Sequence, residues 1–415
     1  MFKKLFKKPA VLALHRNAPY AKEREIYLTH CAQQGYARLP LRRIARELLY
    51  VARTLRILPE RGVTSAQIKK AAVQWECQQR PLGRPQDPKW PRIRFVQAAN
   101  QWFRFLGWFR KVDRKATAFD GLFKDYARWM ESERGFAPAT IDWRCRHLRN
   151  FLRWYEAKKR SISFVKIEDI DAFLTACGKK GWSRRTVVGS ASALRTFFRF
   201  AGMRGWCSPS IAEAIQGPRL FSQENLPSGP AWEDVKRLIA SMDTNRPSDI
   251  RDRAMIMLFA IYGLRAGEVS KLLLDDIDWK NDRMLVPRAK QRRSQPYSLM
   301  PVVGSAIIRY LQEVRPRSSH REVFLTLHAP LRPISRGALY SMTRNRMLAL
   351  GIHAKQLGPH SLRHACATYL MAGGFSLKEI GDHLGHRSSS ATRIYAKVDL
   401  PGLRAVATFD LGGVI

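Results

Sequence analysis

Apolar residues recur at three- and four-residue steps along most of the chain, which predicts helices. In LRRIARELLYVARTLRIL, Ile44, Leu48, Val51 and Leu55 mark one helical face. VTSAQIKKAAVQWE predicts a second helix, capped by Thr64 or Ser65. The proline-rich RPLGRPQDPKWPR predicts a loop, and RFVQAANQWFRFLGWFRK a third helix dense in aromatics. Four more helices follow between about Ala118 and Gly217, in FDGLFKDYARWMESERG, ATIDWRCRHLRNFLRWYEAKK, IEDIDAFLTACGKK and SRRTVVGSASALRTFFRFAGMRG. The strings NQWFRFLGW, LRNFLRWYE and LRTFFRFAG resemble one another. We read them as amphipathic helices with Phe and Trp inside and Arg outside, in preference to an internal repeat. GPRLFSQENLPSGP loses periodicity and predicts a linker. Beyond it the pattern is mixed. PAWEDVKRLIASM and DIRDRAMIMLFAIYG predict helices, AGEVSKLLLDDID a short helix running into a turn, and RMLVPRAKQRRSQPYSLMPV a β-hairpin with Lys290 near its tip. Further helices run to Ala396. The expected fold class is mainly α with a small hairpin or sheet, that is, α+β.

Charge changes the picture. The 415 residues hold 73 Lys and Arg against 34 Asp and Glu, a formal net charge of +39. Such an excess attracts polyanions. It is spread through aromatic-rich, folded-looking sequence, which favours a nucleic acid as partner over a ribosomal or membrane-surface role. Cys31, Cys77, Cys145, Cys177, Cys207 and Cys366 are scattered without zinc spacing, so no metal site or disulfide framework is expected and a reducing cytoplasm fits. The longest apolar run, Ala254 to Tyr262, is well short of the ~20 residues a membrane helix needs. No membrane partner is expected.

Candidate chemistry concentrates in HSLRHACATYLMAGGFSLKEIGDHLGHRSSSATRIYAKV, residues 360–398. His360, Arg363, His386 and Tyr395 lie at spacings that two short helices and a turn bring together. Upstream, GLRAGE contributes Arg265. Attack on a phosphodiester builds negative charge on oxygen, and a guanidinium offers a planar, permanently charged fork for it. A phenol has a reference pKa near 10 and needs a base or nearby cations to act as nucleophile. His360 is the candidate helper, and His386 the candidate phosphate or base-positioning group. Lys290 is the candidate proton donor to the departing oxygen. No cofactor is required, and no phosphate-binding Gly-rich loop occurs. Asp275, Asp276 and Asp278 read as a turn and not as a metal cluster.

Taken jointly, these residues resemble the tyrosine recombinase (phage integrase-like) family. GLRAGEVSKLLLDDID resembles the family's first box, with Arg265 as first catalytic arginine and Glu268 as its supporting acid. HSLRHACATYL resembles the second box, matching His-x-x-Arg with His360 and Arg363. LGHRSSSATRIYAKV resembles the segment with the third site at His386 and the nucleophile at Tyr395. Lys290 stands in RAKQRR, away from the family's usual glycine or threonine context, and His364 reads as helix support. Ser388 to Ser390 read as the cap of the tyrosine helix.

The pattern and the resemblance together imply a domain order, the first 115 residues lying outside the resemblance. Residues 1–20 are expected to form a basic flexible arm and 21–115 an additional helical domain. Residues 116–217 are expected to form a helical core-binding domain, 218–230 a linker and 231–398 the catalytic domain. The resemblance also implies double-stranded DNA recombination sites as partners, a homo-tetramer on paired sites, and strand exchange through a 3′-phosphotyrosyl ester and a Holliday junction. Accessory recombination proteins are further candidate partners. The alternatives are a monomeric type IB topoisomerase-like enzyme and a catalytically silent DNA-binding protein. Three roles stay open for the first 115 residues: a DNA-binding module, a protein-contact module and a structural extension. In the tail, 399–415, Leu403, Val406 and Phe409 recur at three-residue steps. A lone apolar segment of this kind is expected to dock on a neighbouring protomer. Deleting residues 400–415 is therefore expected to leave DNA binding intact and abolish recombination, as read by a gel-shift and a two-site recombination assay.

Overall fold

The structure is a computed structural model that describes residues 1–55, 60, 62–78, 89–110, 119–158, 160–220, 229–288, 293–386 and 391–396. The chain divides into two compact units, Met1–Lys111 with Asn225–Ile415, and Val112–Glu224. Hydrophobic side chains gather into three main cores, over residues 2–103, 119–215 and 235–365, plus a small satellite over 366–395.

The first core is built by α1 (Phe2–Leu5), α2 (Pro9–Arg16), α3 (Ala21–Gln33), α4 (Arg38–Thr54), α5 (Ser65–Gln78) and α6 (Lys89–Phe105). On α4 the buried stripe is Leu41, Ala45, Leu48, Leu49, Val51 and Ala52, while Ile44 is only half-buried. Thr64 caps α5, accepting from the Gln67 amide at 3.3 Å. α6 begins at Lys89, earlier than the proline-rich loop reading allowed, because Pro91 falls in its first turn, where a missing N–H costs nothing.

Residues 1–20 are not a flexible arm. Phe2 and Leu5 are 1% and 3% exposed and lie in the first core. The terminal ammonium donates to Glu25 at 2.9 Å, and the Arg24 guanidinium donates to the carbonyls of His15, Ala18 and Pro19. The lysines lie between apolar anchors, and those anchors decide the conformation.

The second core is built by α7 (Asp120–Ser132), α8 (Pro138–Glu156), α9 (Ile167–Lys179), α10 (Arg184–Met203) and α11 (Ser210–Ala214). Ser183 caps α10 through the Thr186 amide. Most of the linker, 221–228, lies outside the described residues.

The third core surrounds α13 (Pro247–Ile261), in which every residue from Ala254 to Ala260 is buried. Around it lie α12 (Trp232–Ala240), α14 (Ala266–Val269), α15 (Pro301–Arg309), α16 (Arg336–Ala349) and α17 (Pro359–Ala372). α18 (Leu377–Leu384) and α19 (Arg393–Ala396) pack on α17. Between α14 and α15, the strands β1 (Ile277–Asp278), β2 (Arg283–Arg288) and β3 (Arg293–Ser298) form an antiparallel sheet in that order. The register pairs Val286 with Gln295 and Arg288 with Arg293. Asp275 and Asp276 lie in a single 3-10 turn, Leu274–Asp276, and Asp278 ends β1, accepting from the Lys280 and Asn281 amides.

Phe2→Ala empties a fully buried aromatic site and is expected to cost about 3 kcal/mol. A thermal melt that does not fall would return residues 1–20 to a loose arm.

Candidate active site

Two residues past the end of α13 stands Gly263, whose φ of +57° is open to glycine and strained for other residues. A Cβ there would also sit 2.3 Å from Leu384 Cδ2. The turn brings the Leu264 amide back to the Leu258 carbonyl and sets Arg265 ahead of α14. Glu268, three residues on, accepts the Arg265 backbone N–H at 2.8 Å and its Nη1 at 2.8 Å. The second Glu268 oxygen also takes Arg288 Nη1 at 2.6 Å. Burial alone would push the Glu268 carboxyl up, but the Arg265 amide and the two guanidinium groups hold it below the usual carboxylate value.

Arg363 stands on α17 and is 2% exposed. Its Nη1 donates to Gly263 O at 2.5 Å and its Nη2 to Leu384 O at 2.8 Å. Burial and then Arg265 lower its pKa to about 10. Arg265 Nη2 donates to Gly385 O at 3.1 Å. Both arginines are thus tied to the end of α18.

Tyr395, on α19, is 2% exposed, and its hydroxyl meets His364 Nδ1 at 2.8 Å. Burial raises its pKa to about 12, against the pull of Arg363. His364 falls to about 4 through burial, His360 and Arg363. The His360 ring meets the His364 ring edge-on at 4.5 Å. His386 shares a hydrogen bond with Thr392 Oγ1 through Nδ1 at 2.7 Å, and burial with the charges of Arg363, Arg265 and Arg288 lowers it to about 4. The His386 and Tyr395 rings lie parallel, 6.5 Å apart.

The structure therefore joins Arg265, Glu268, Arg363, His386 and Tyr395, with His360 at the edge. His364, read as helix support, is the imidazole that meets the Tyr395 hydroxyl, and the His360 ring packs edge-on against it. Lys290 and Ser388 to Ser390 lie outside the described residues. Thr392 precedes the tyrosine helix and holds His386. Among the described residues no His, Cys, Asp and Glu group could hold a metal.

Sequence reasoning missed Arg288. It is 2% exposed and bonds Glu268, Gln295 and the Tyr297 hydroxyl. The signal was available: β2 alternates, and Met284, Val286 and Arg288 share its buried face. An arginine at an apolar register position needs an ionic partner.

Comparisons with known proteins give the chain's family. Residues 231–400 match the phage integrase family, and 123–205 match the phage integrase N-terminal SAM-like domain. The putative integrase/recombinase y4rA of Sinorhizobium fredii is 36% identical over 299 residues, 72% of each chain. Tyrosine recombinase XerD of Listeria monocytogenes is 29% identical, covering 67% of this chain and 94% of that protein. In fold, the chain is similar to the XerH recombinase bound to its difH substrate, with TM-score 0.56 and 19% identity over 82% of this chain and 94% of that one. It is also similar to the Tn1549 transposon integrase, with TM-score 0.54 and 17% identity over 69% and 98% of the two chains. The chain belongs to the phage integrase family, the tyrosine recombinases.

His15, His364 and His386 all fall to about 4 from an ordinary 6.5. The folded chain keeps them neutral, while the unfolded chain takes up protons below that ordinary value. Stability from this source is complete above pH 6.5 and is lost as pH falls toward 4. Urea midpoints measured across that window are expected to drop on acidification, with a shallower slope for His364→Gln. An unchanged slope in that variant would remove His364 from the account.

Proposed function

We propose that the chain is a site-specific DNA recombinase or integrase in which Tyr395 is the nucleophile. The observation that carries the reading is the Tyr395 hydroxyl on a neutral imidazole, next to two arginines tied to one helix end. At neutral pH a phenol held at about 12 keeps its proton, and an imidazole at about 4 has a free lone pair. His364 takes the phenol proton, with His360 beyond it as relay. Tyr395 Oη attacks the scissile phosphorus, the P–O5′ bond breaks, and a 3′-phosphotyrosyl ester forms. Arg265 and Arg363 hold the charge that grows on the non-bridging oxygens, and His386 supports the same phosphate. Lys290 gives its proton to the departing 5′ oxygen.

This chemistry draws on no metal, since arginines supply the positive charge. It also needs no ATP, since the ester stores the bond energy for rejoining by another 5′ hydroxyl. Two such exchanges on paired duplex sites pass through a Holliday junction, in a homo-tetramer. The helical block 116–217 serves as the core-binding domain and contacts duplex DNA. A tail exchanged between protomers would link the four active sites.

Tyr395→Phe is expected to abolish covalent attachment to nicked duplexes taken from the DNA flanking its gene, and to spare binding. An adduct surviving in that variant would place the nucleophile elsewhere.

A further inference from the structure

The first two helical cores are built alike. α3, α4, α5 and α6 span 13, 17, 14 and 17 residues, and α7, α8, α9 and α10 span 13, 19, 13 and 20. In each set the second helix packs on the other three, and the third packs on the fourth. Four unrelated helices have many ways to pack, so a shared pattern is informative. The joints agree as well. Gly35 and Gly135 both take positive φ, of +83° and +59°, and end the first helix. The aromatic that follows, Tyr36 or Phe136, returns its amide to a helix carbonyl. Ala37 or Ala137 then stands in extended backbone before the second helix.

Burial repeats at the same intervals. On the second helices, Ala45, Leu48, Val51 and Ala52 correspond to Cys145, Leu148, Phe151 and Leu152. Around the third helices, Val63, Ile68, Ala71, Ala72 and Trp75 correspond to Val165, Ile170, Phe173, Leu174 and Cys177, all buried. The caps there are equivalent too. The Gln67 side chain accepts from the Thr64 amide, and that of Asp169 from the Lys166 amide, each three residues on. On the fourth helices, Phe95, Ala99, Trp102 and Phe103 correspond to Ser190, Leu194, Phe197 and Phe198, and both continue Phe-Arg-Phe. The likeness between NQWFRFLGW and LRTFFRFAG is therefore part of a whole-module correspondence, which overturns the preference for coincidental amphipathicity.

The correspondence extends to exposed charge. Arg46, Arg53 and Arg104 stand at the positions of Arg146, Arg153 and Arg199, and all six are exposed. α4 also exposes Arg38, Arg42 and Arg43, and Glu47 is its only acid. Residues 1–110 carry 23 Lys and Arg against 6 Asp and Glu. Exposed guanidinium groups with so few acids between them suit a polyphosphate surface.

We infer that residues 21–110 are a second copy of the helical module at 120–206, and that this copy grips duplex DNA along its phosphate backbone. The inference rests on the reading of 116–217 as a DNA-gripping domain. Each chain then holds the duplex with two like modules and its catalytic block. The first module adds backbone contacts beyond those of the second.

The test compares two matched triple variants in the full-length chain. One is Arg46→Ala with Arg53→Ala and Arg104→Ala. The other is Arg146→Ala with Arg153→Ala and Arg199→Ala. Affinity for a duplex of about 60 bp and arbitrary sequence is measured by anisotropy between roughly 50 and 200 mM salt. Thermal melts verify folding, which exposed side chains are not expected to disturb. The first triple is expected to lower the slope of log K against log salt by about two to three and to weaken binding about tenfold or more near 150 mM. The second is expected to do the same. If only the second lowers the slope, the first module does not grip DNA and the inference falls, while the reading of the second module stands. If neither does, that reading falls too.

Discussion

The last turn of α18 is the constraint on which the site depends. A helix leaves its final carbonyls without partners and carries partial negative charge at that end. Here the Asp382 carbonyl accepts Gln295, His383 accepts the Tyr297 hydroxyl, Leu384 accepts Arg363 and Gly385 accepts Arg265. One helix end thus orders side chains from α14, β3 and α17. Gly385 makes this possible: a Cβ there would lie 2.7 Å from the Arg288 guanidinium carbon. The arginines are fixed before any phosphate arrives, so a ligand does not have to order them.

Three guanidinium groups so close together repel one another, and Glu268 is the counterweight. Its carboxylate binds Arg265 and Arg288 while 9% exposed. Removing one partner of such a buried pair leaves an uncompensated charge, commonly at a cost of about 3–5 kcal/mol. The remaining positive field acts on the imidazoles. Burial first, and then these arginines, keep His386 and His360 below their ordinary values. The same chemistry that suits a phosphate therefore also sets which groups can accept a proton.

The sequence was most informative where chemistry constrains residue type. Arg265, Arg363, His386 and Tyr395 stood out as candidates because attack on a phosphodiester calls for cations and an activated phenol, and Glu268 entered through the resemblance alone. His364 was harder, since a second histidine one position after Arg363 shows no partner until α19 folds back on α17. Arg288 was hidden because an arginine near a basic hairpin looks like a solvated charge. Residues 1–20 misled through their lysines, while Phe2 and Leu5 carried the structural information. The module likeness showed in sequence only through strings such as NQWFRFLGW and LRTFFRFAG, because elsewhere burial interval is retained where residue type is not: Ala71 and Phe173 share a position but little chemistry.

Tyr395 occupies a distinctive place in this organisation. It belongs to the satellite cluster of Cys366, Ala367, Met371, Ile380 and Leu384, and not to the main catalytic core. At 2% exposure its hydroxyl cannot meet a phosphate without some displacement of the short α19. Such a displacement would disturb apolar contacts of this small cluster and not the core around α13. Local opening of this kind draws on a small part of a domain's stability. Arg363 is held by the Gly263 and Leu384 carbonyls, and Arg265 by Glu268 and the Gly385 carbonyl. Arg265 and Arg363 are thus tied to one helix end, while Tyr395 sits on a short helix in a separate small cluster.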